Sequence, residues 1–163
     1  MRNLKLVFIL TLNICLLSSC SLFNRLKNGS ENSNEGFKKA KVVVANARQY
    51  VGSPYKFGGK TSSGFDCSGL VYISFQEAGF TLPRTSIEQA NVGREITLGQ
   101  VKPGDLVFFV TKKEATISHV GIVTELKGPE WTMFIHAANT GVQEDNLYTK
   151  YYRSTFAKAM RPF

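Results

Sequence analysis

Three side chains of this sequence could together carry out nucleophilic chemistry: the thiol of Cys67 and the imidazoles of His119 and His136. Apolar residues recur at helical spacing over residues 70–78, and Gly79 follows as a stop. Cys67 therefore belongs to the first turn of a predicted helix. Unpartnered backbone N–H groups and the positive end of the helix dipole favour a thiolate there, so we expect a lowered pKa for this thiol.

The other two cysteines precede the globular part of the chain. Residues 1–19 have the basic start and apolar run of a secretory signal, and Leu17-Ser18-Ser19-Cys20 resembles a lipobox. We expect a lipoprotein signal peptide over residues 1–19 and lipidation of Cys20; an ordinary signal with incidental cysteines is the alternative. Cys15 would leave with the signal, so Cys67 would remain as the free thiol. An unpaired cysteine in an exported protein indicates reactivity.

Composition and charge restrict the class of protein. The chain has 163 residues, of which 43% are hydrophobic and 20% charged, as in one ordinary globular domain. Removing residues 1–19 lowers the formal net charge from +8 to +6. A basic domain in the cell envelope suits anionic lipids, teichoic acids or peptidoglycan carboxylates. The basic residues are scattered rather than clustered, however, which favours an ordinary solvated surface over a specific patch. We expect no nucleic-acid partner and no cofactor.

The chain divides into a tether and a domain. Residues 20–36 contain a polar, Asn- and Ser-rich stretch, which predicts a flexible tether, and residues 37–163 form the predicted domain. A first helix is predicted over residues 37–51 from its apolar period. The Gly- and Ser-rich connection that follows contains Tyr55, a phenol that could donate a hydrogen bond to an oxyanion; a plain core or rim aromatic is equally compatible.

Local signals place the remaining elements. Thr85 and Glu88 have the spacing of a capping box, which predicts a short helix. Pro103-Gly104 suits a type II turn before a strand. Helices first and strands second indicate an α+β fold, with N-terminal helices packed on a C-terminal antiparallel sheet. The predicted strands cover residues 106–110, 117–124, 132–135 ending on His136, and 157–161 as an edge strand.

The chemistry of the three candidate residues stays open on this evidence. A thiol peptidase needs a thiolate, an imidazole that carries the proton and a third group that orients the imidazole, and Cys67, His119 and His136 suit those roles in that order. The same side chains could form a partial zinc site with water as the fourth ligand. A wall-binding lipoprotein without catalysis is a third interpretation.

Beyond these local arguments, the chain resembles the NlpC-type family of papain-like murein cysteine peptidases, particularly its short outer-membrane lipoproteins. The resemblance extends over most of residues 40–161. The matching motifs are Ala47 to Gly59 (A-x-x-x-x-G-x-P-Y-x-x-G-G), Asp66-Cys67-Ser68-Gly69-Leu70-Val71, Leu82-Pro83-Arg84-Thr85-Ser86 with Gln89, Pro103 to Phe109, His119-Val120-Gly121-Ile122 and Phe134-Ile135-His136-Ala137.

The resemblance implies a cysteine peptidase that cuts peptide stems of peptidoglycan through an acyl-enzyme. Cys67 would be the nucleophile, His119 the general base and later acid, and His136 the residue that orients His119. Tyr55 and the backbone beside Ser68 would stabilise the oxyanion. The residues implied to line the substrate groove are Arg84 and Ser86. A thiol acyltransferase with the same triad is the alternative that the fold allows.

The resemblance also implies a location. A lipid on Cys20 would hold the domain in the cell envelope beside its polymer, and Ser21 in place of Asp favours the outer membrane, facing the periplasm. No wall-binding module precedes the domain in this sequence. We therefore expect recognition of the stem peptides to depend on the groove and on the membrane tether.

Overall fold

The computed structural model describes residues 34–111 and 115–163. The predictions for the signal peptide, for Cys20 and for residues 20–33 of the tether lie outside the described residues. Helix α1 spans residues 34–48 and therefore begins and ends three residues earlier than the sequence predicts. Of the predicted apolar face, Ala40, Val43, Val44 and Ala47 are buried, whereas Val51 lies beyond the end of the helix and is 54% exposed.

Two short strands, β1 (Lys60–Thr61) and β2 (Gly64–Phe65), form an antiparallel hairpin that leads into helix α2 (Cys67–Gln76). Helix α2 begins where the sequence predicts, because Asp66 caps it. After the helix, Gly79 has a φ of 77° and the Phe80 N–H donates to a carbonyl of the last turn, which is the predicted left-handed stop.

Helix α3 (Ser86–Gln89) begins with the predicted capping box. The Thr85 side chain accepts from the backbone N–H of Glu88, and the Glu88 carboxylate accepts from the backbone N–H of Thr85. The predicted turn at Pro103-Gly104 is also confirmed, because Gly104 has a φ of 91° and the Asp105 N–H donates to the Lys102 carbonyl.

Within the described residues the main sheet has six antiparallel strands in the order β3-β8-β4-β5-β6-β7. Two further helical segments are the 3-10 helix Leu98–Gln100 and helix α4 (Lys150–Thr155). The strands are β3 (Arg94–Ile96), β4 (Leu106–Phe109), β5 (His119–Gly128), β6 (Trp131–Ala138), β7 (Gly141–Asn146) and β8 (Phe156–Arg161).

Several strand predictions are corrected by this sheet. Strand β8 is not an edge strand, because β3 pairs with its outer side. Strand β6 does not end on His136 but continues to Ala138, since β7 pairs with it along its length. The sequence predicted neither β3 nor β7. The sequence also predicted only strands in the C-terminal half, whereas helix α4 lies between β7 and β8.

The sheet separates two layers of core. Residues of α1 and α2 pack against one face, together with Leu106 and Phe108 of β4. Tyr152 of α4 and residues near the 3-10 helix pack on the other face, against Val107 and Phe109. The alternation along β4 follows from the period of two in a strand, and both faces are buried because both are covered. Residues Lys38–Phe163 form one compact unit.

Candidate active site

Cys67 is the first residue of α2 and is partly buried. The backbone N–H groups of Val120, of Ser68 and of Cys67 itself are close enough to the thiol to lower its pKa. Val120 directly follows His119 in β5, so the start of β5 lies near Cys67. The helix and the strand therefore meet at the thiol.

The pKa of the Cys67 thiol is raised, which corrects the prediction of a lowered pKa. Burial is the largest cause, and the negative charge of Asp66 adds to it, while the three N–H groups act in the opposite direction. Position at a helix N-terminus favours a thiolate, but loss of water disfavours any charge. In the resting protein the sulfur therefore carries its proton at neutral pH.

The two histidines contact each other directly. Nε2 of His119 lies 2.9 Å from Nδ1 of His136, and the two rings meet edge to face. The pKa of His119 is lowered to about 3, chiefly by burial and in addition by the neighbouring His136. Burial also lowers the pKa of His136. Both imidazoles are therefore neutral near pH 7 and able to accept a proton.

A carboxylate that the sequence reasoning missed lies behind this pair. Oδ2 of Asp145, in β7, is 2.9 Å from Nε2 of His136 and also accepts from the hydroxyl of Tyr152 at 2.7 Å. The amide of Gln143 donates to the same oxygen at 2.9 Å. The sequence could have indicated this cluster through the spacing of Gln143 and Asp145, because residues two apart in a strand lie on the same face.

Tyr55 is near enough to Cys67 and Asp66 for their charges to act on its phenol. Burial raises the pKa of its phenol, and the charges of Cys67 and Asp66 contribute next. The phenol is therefore protonated and can donate. Its backbone is held by a bridge to Phe65, two residues before the nucleophile. The roles of Tyr55 and Ser68 in an oxyanion hole remain predictions.

Asp66 and Arg84 form an ion pair beneath the nucleophile. The two guanidinium NH2 groups of Arg84 lie 2.9 and 2.7 Å from the two carboxylate oxygens of Asp66, and they also donate to Ser68 Oγ and to the Gly59 carbonyl. The Asp66 carboxylate caps α2 by accepting from Gly69 N–H at 2.6 Å. These contacts connect the loop before the nucleophile to its helix.

Glycine at position 69 permits the close approach of the loop at Gly59 to the start of α2. A Cβ atom there would lie 2.0 Å from the Gly59 carbonyl oxygen, a distance that the two backbones do not allow. Arg84 is thus committed to contacts within the protein, with 33% of its side chain exposed. Ser86 begins α3 and is partly exposed. Binding of substrate by Arg84 and Ser86 remains a prediction.

Two further properties concern only the part of the chain that the structure describes. No group of three His, Cys, Asp or Glu side chains there is arranged to hold a metal ion. No helix in residues 34–111 or 115–163 is both long enough and apolar enough to cross a membrane.

Comparisons with known proteins identify relatives of this chain. Residues 52–161 match the sequence pattern of the NlpC/P60 family. The chain is 50% identical over 82 residues to the gamma-DL-glutamyl hydrolase of Bacillus subtilis, a match that covers 49% of this chain and 20% of that protein. It is 38% identical over 112 residues to the probable endopeptidase NlpC of Escherichia coli, covering 68% of this chain and 70% of that protein.

A solved structure agrees with these sequence matches. The crystal structure of a lipoprotein-like NLP/P60 family protein from Staphylococcus aureus superimposes with a TM-score of 0.66 at 32% identity and covers 76% of this chain and 41% of that one. The predicted papain-like α+β fold is confirmed. Since the family pattern extends over more than half of the sequence, the chain belongs to the NlpC/P60 family of cysteine peptidases.

Proposed function

We propose that this protein hydrolyses an amide bond in the stem peptides or crosslinks of peptidoglycan through an acyl-enzyme on Cys67. The observation that supports this most directly is the meeting of α2 and β5. It puts the Cys67 thiol against the amide that follows His119, and His119 in turn contacts His136. The relatives named gamma-DL-glutamyl hydrolase and probable endopeptidase support hydrolysis of an amide bond.

The first half of the reaction begins from a neutral thiol and a neutral imidazole. The proton of Cys67 passes to His119 as the sulfur forms a bond to the carbonyl carbon of the stem amide. The carbonyl electron pair then resides on oxygen, where the Ser68 N–H and the Tyr55 phenol can donate to it. Each such donor contributes about 3 to 4 kcal/mol to the transition state in well-studied acyl-transfer enzymes.

The second half releases the products. The carbon–nitrogen bond breaks as His119 returns its proton to the leaving amine, which leaves a thioester on Cys67. Water then attacks the thioester while His119 accepts one of its protons. The carbon–sulfur bond breaks, the sulfur recovers a proton from His119, and the free acid departs.

The experiment that tests this proposal compares full-length protein and its Cys67→Ala variant on purified murein of defined crosslinking, with soluble fragments identified by mass spectrometry. Conversion of crosslinked dimers to monomers only when Cys67 is present indicates a crosslink-cutting endopeptidase. Fragments broken after D-glutamate assign the stem bond instead.

The alternative functions give different results in the same assay. A murein-binding protein without catalysis would sediment with murein equally well with and without Cys67 and would release no fragment. An acyltransferase would give Cys67-dependent ligated products when an amine acceptor is added. Absence of any Cys67-dependent product from every murein type contradicts the hydrolase proposal.

We further propose that lipidation of Cys20 anchors the domain in the envelope, with the outer membrane as the expected location. An anchored domain meets its polymer at a raised effective concentration without any new contact. Incorporation of labelled palmitate into the wild-type protein, its loss in Cys20→Ala, and fractionation of the two membranes test this. Label that persists in the variant contradicts the assignment of Cys20.

A further inference from the structure

The hydrogen bonds behind His119 form a continuous chain that ends on a carboxylate. His119 contacts His136 at 2.9 Å, and His136 contacts Oδ2 of Asp145 at 2.9 Å. Tyr152 and Gln143 donate to that same oxygen, at 2.7 and 2.9 Å. The chain therefore runs from the base, through a second imidazole, to an acceptor whose position is set by two further donors.

We infer that Asp145, held by Tyr152 and Gln143, is a positioning residue that decides which ring nitrogens of His136 and His119 carry protons. The inference deepens the role of the same site and rests on the proposed function in assigning His119 as the base. The chemical steps attributed to Cys67 and His119 are unchanged by it.

The assignment follows from counting donors along the chain. An ionised carboxylate only accepts hydrogen bonds, so the proton between Asp145 and His136 belongs to Nε2 of His136. The Tyr152 hydroxyl lies 2.7 Å from Oδ2 of Asp145 and 3.2 Å from the same Nε2, and it donates its single proton to the carboxylate. Nδ1 of the neutral His136 ring is then bare and accepts from Nε2–H of His119. His119 consequently has its bare nitrogen at Nδ1, the position that can accept the thiol proton.

Packing prevents the His136 ring from turning over and reversing this order. Its side chain is 1% exposed, and the ring of Phe134 stacks on it with centroids 4.7 Å apart and an angle of 18°. The Tyr152 ring meets it edge to face at 5.6 Å. Because Phe134 and Tyr152 hold the His136 ring in place, loss of the carboxylate should change which ring nitrogen carries the proton rather than the orientation of the ring.

Charge favours the same arrangement. When His119 becomes an imidazolium, the negative charge of Asp145 lies one ring away, in surroundings where burial strengthens electrostatic interactions. The titratable and polar groups that face Asp145 are His136, Tyr152 and the amide of Gln143, and Tyr152 stays protonated because burial and the adjacent carboxylate raise its pKa.

The test uses two substitutions at position 145 in the full-length protein. Asp145→Ala removes the acceptor for Nε2–H of His136, so both histidines should populate the other tautomer. Asp145→Asn keeps an oxygen in that place but removes the charge. We expect kcat to fall about 10- to 100-fold in Asp145→Ala, less than the roughly 10,000-fold loss when a carboxylate touching the catalytic base itself is replaced, and a smaller loss in Asp145→Asn.

Nitrogen-15 NMR of the imidazoles supplies a readout that a merely structural role would not move. Wild type should show a bare Nδ1 and a protonated Nε2 on His119, and Asp145→Ala should shift both resonances towards a mixture of tautomers. Glu144→Gln is the matched control, since it removes one carboxylate from the same strand at a side chain that pairs with Arg48 at 2.6 Å instead. It should leave both the NMR pattern and kcat as in wild type.

The outcomes separate this inference from the proposed function. Unchanged tautomers and unchanged kcat in Asp145→Ala overturn the inference. If that variant does not fold, the same measurements on Asp145→Asn and Tyr152→Phe decide, and wild-type values in both overturn it. If wild type cleaves no murein while the tautomers shift as expected, the inference stands and the proposed function fails.

Discussion

At Cys67, the two physical effects that act on a thiol oppose each other. The amide groups at the start of α2 and from Val120 favour the anion, whereas burial and the charge of Asp66 favour the neutral thiol, and the net pKa is raised. His119 is neutral as well, because burial and the neighbouring His136 lower its pKa to about 3. Cys67 and His119 are therefore both uncharged near neutral pH.

This state predicts the pH dependence of thiol alkylation. Since the thiol pKa is raised above its ordinary value, the rate of Cys67 alkylation by iodoacetamide should rise steadily with pH above neutrality, as the thiolate fraction rises. The rate is measured by mass spectrometry of the alkylated full-length protein, with Cys67→Ala as the control for labelling elsewhere. A plateau already present between about pH 4 and 7, the range of activated thiolates, contradicts the prediction.

A second prediction at this scale concerns the oxyanion donor. Tyr55→Phe removes only the phenolic hydroxyl, so kcat should fall about 10- to 1,000-fold with little change in KM, as for loss of one oxyanion-hole donor. Steady-state kinetics on a soluble stem peptide measure this. Tyr151→Phe, at a side chain that is 55% exposed, is the matched control and should be close to wild type. Equal kinetics for Tyr55→Phe and wild type contradict the assignment.

At the scale of elements, the start of α2 depends on one carboxylate with two functions. Asp66 accepts from Gly69 N–H and also pairs with Arg84. Its pKa is lowered even though burial, the largest influence, acts upward, because Arg84 and the Gly69 N–H together outweigh it. A helix cap and an ion pair thus share the same group, directly beside the nucleophile.

Asp66→Ala should lower the free energy of unfolding by about 1 to 3 kcal/mol, the sum of a lost cap and a partly buried guanidinium left without its partner. The double variant Asp66→Ala/Arg84→Met should recover part of that loss, because the unpaired charge is gone. Urea unfolding followed by circular dichroism gives both values. A double variant whose losses are simply additive would show that the pair is not coupled.

Elements differ in how far local sequence predicts them. Residues within a few positions of one another form the caps of α2 and α3 and the turn at Gly104. Local sequence patterns were therefore sufficient to predict these three features. Strand β3 has three residues and β7 is mostly polar, so neither has a strong apolar period. Strand β3 depends on pairing with β8, which is distant in the sequence, and β7 depends on pairing with β6 rather than on an apolar pattern of its own.

At the scale of the whole molecule, the buried histidines predict how stability changes with pH. The pKa of His119 is about 3 when folded and about 6.5 when unfolded, so below pH 6.5 the unfolded chain binds a proton that the folded protein does not. Stability is therefore complete above that pH and falls as the pH drops towards 3. His136, whose pKa is also lowered, acts in the same direction.

The expected slope is at most about 1.4 kcal/mol per pH unit for each histidine. Urea unfolding of the full-length protein at a series of pH values between 7 and 4 measures it, and His119→Gln, which cannot titrate, should show a shallower slope. The pKa values of Asp66 and Asp145 are also lowered, so each adds a further loss as the pH falls through the ordinary range of carboxyl groups, about 4, and below it. Identical slopes for the variant and wild type contradict the prediction.

The sequence by itself determined the parts of this protein that depend on near neighbours: the start of the nucleophile helix at Cys67, the capping box of α3, the turn before β4, the order of the motifs and hence the family. It also singled out His119 and His136, because the chain has only two histidines. Interactions between residues that are near in the sequence depend little on the rest of the fold, so local patterns can predict them.

Tertiary structure alone decided the protonation states and the hydrogen-bond chain behind His119. The raised thiol pKa arises from burial against β5, which no local pattern reports. Asp145 reaches His136 only because β7 pairs with β6 in a register that sets His136 opposite Gln143 and leaves Asp145 on the same face. Register and burial are properties of the assembled sheet, so the final acceptor of the hydrogen-bond chain became visible only in the fold.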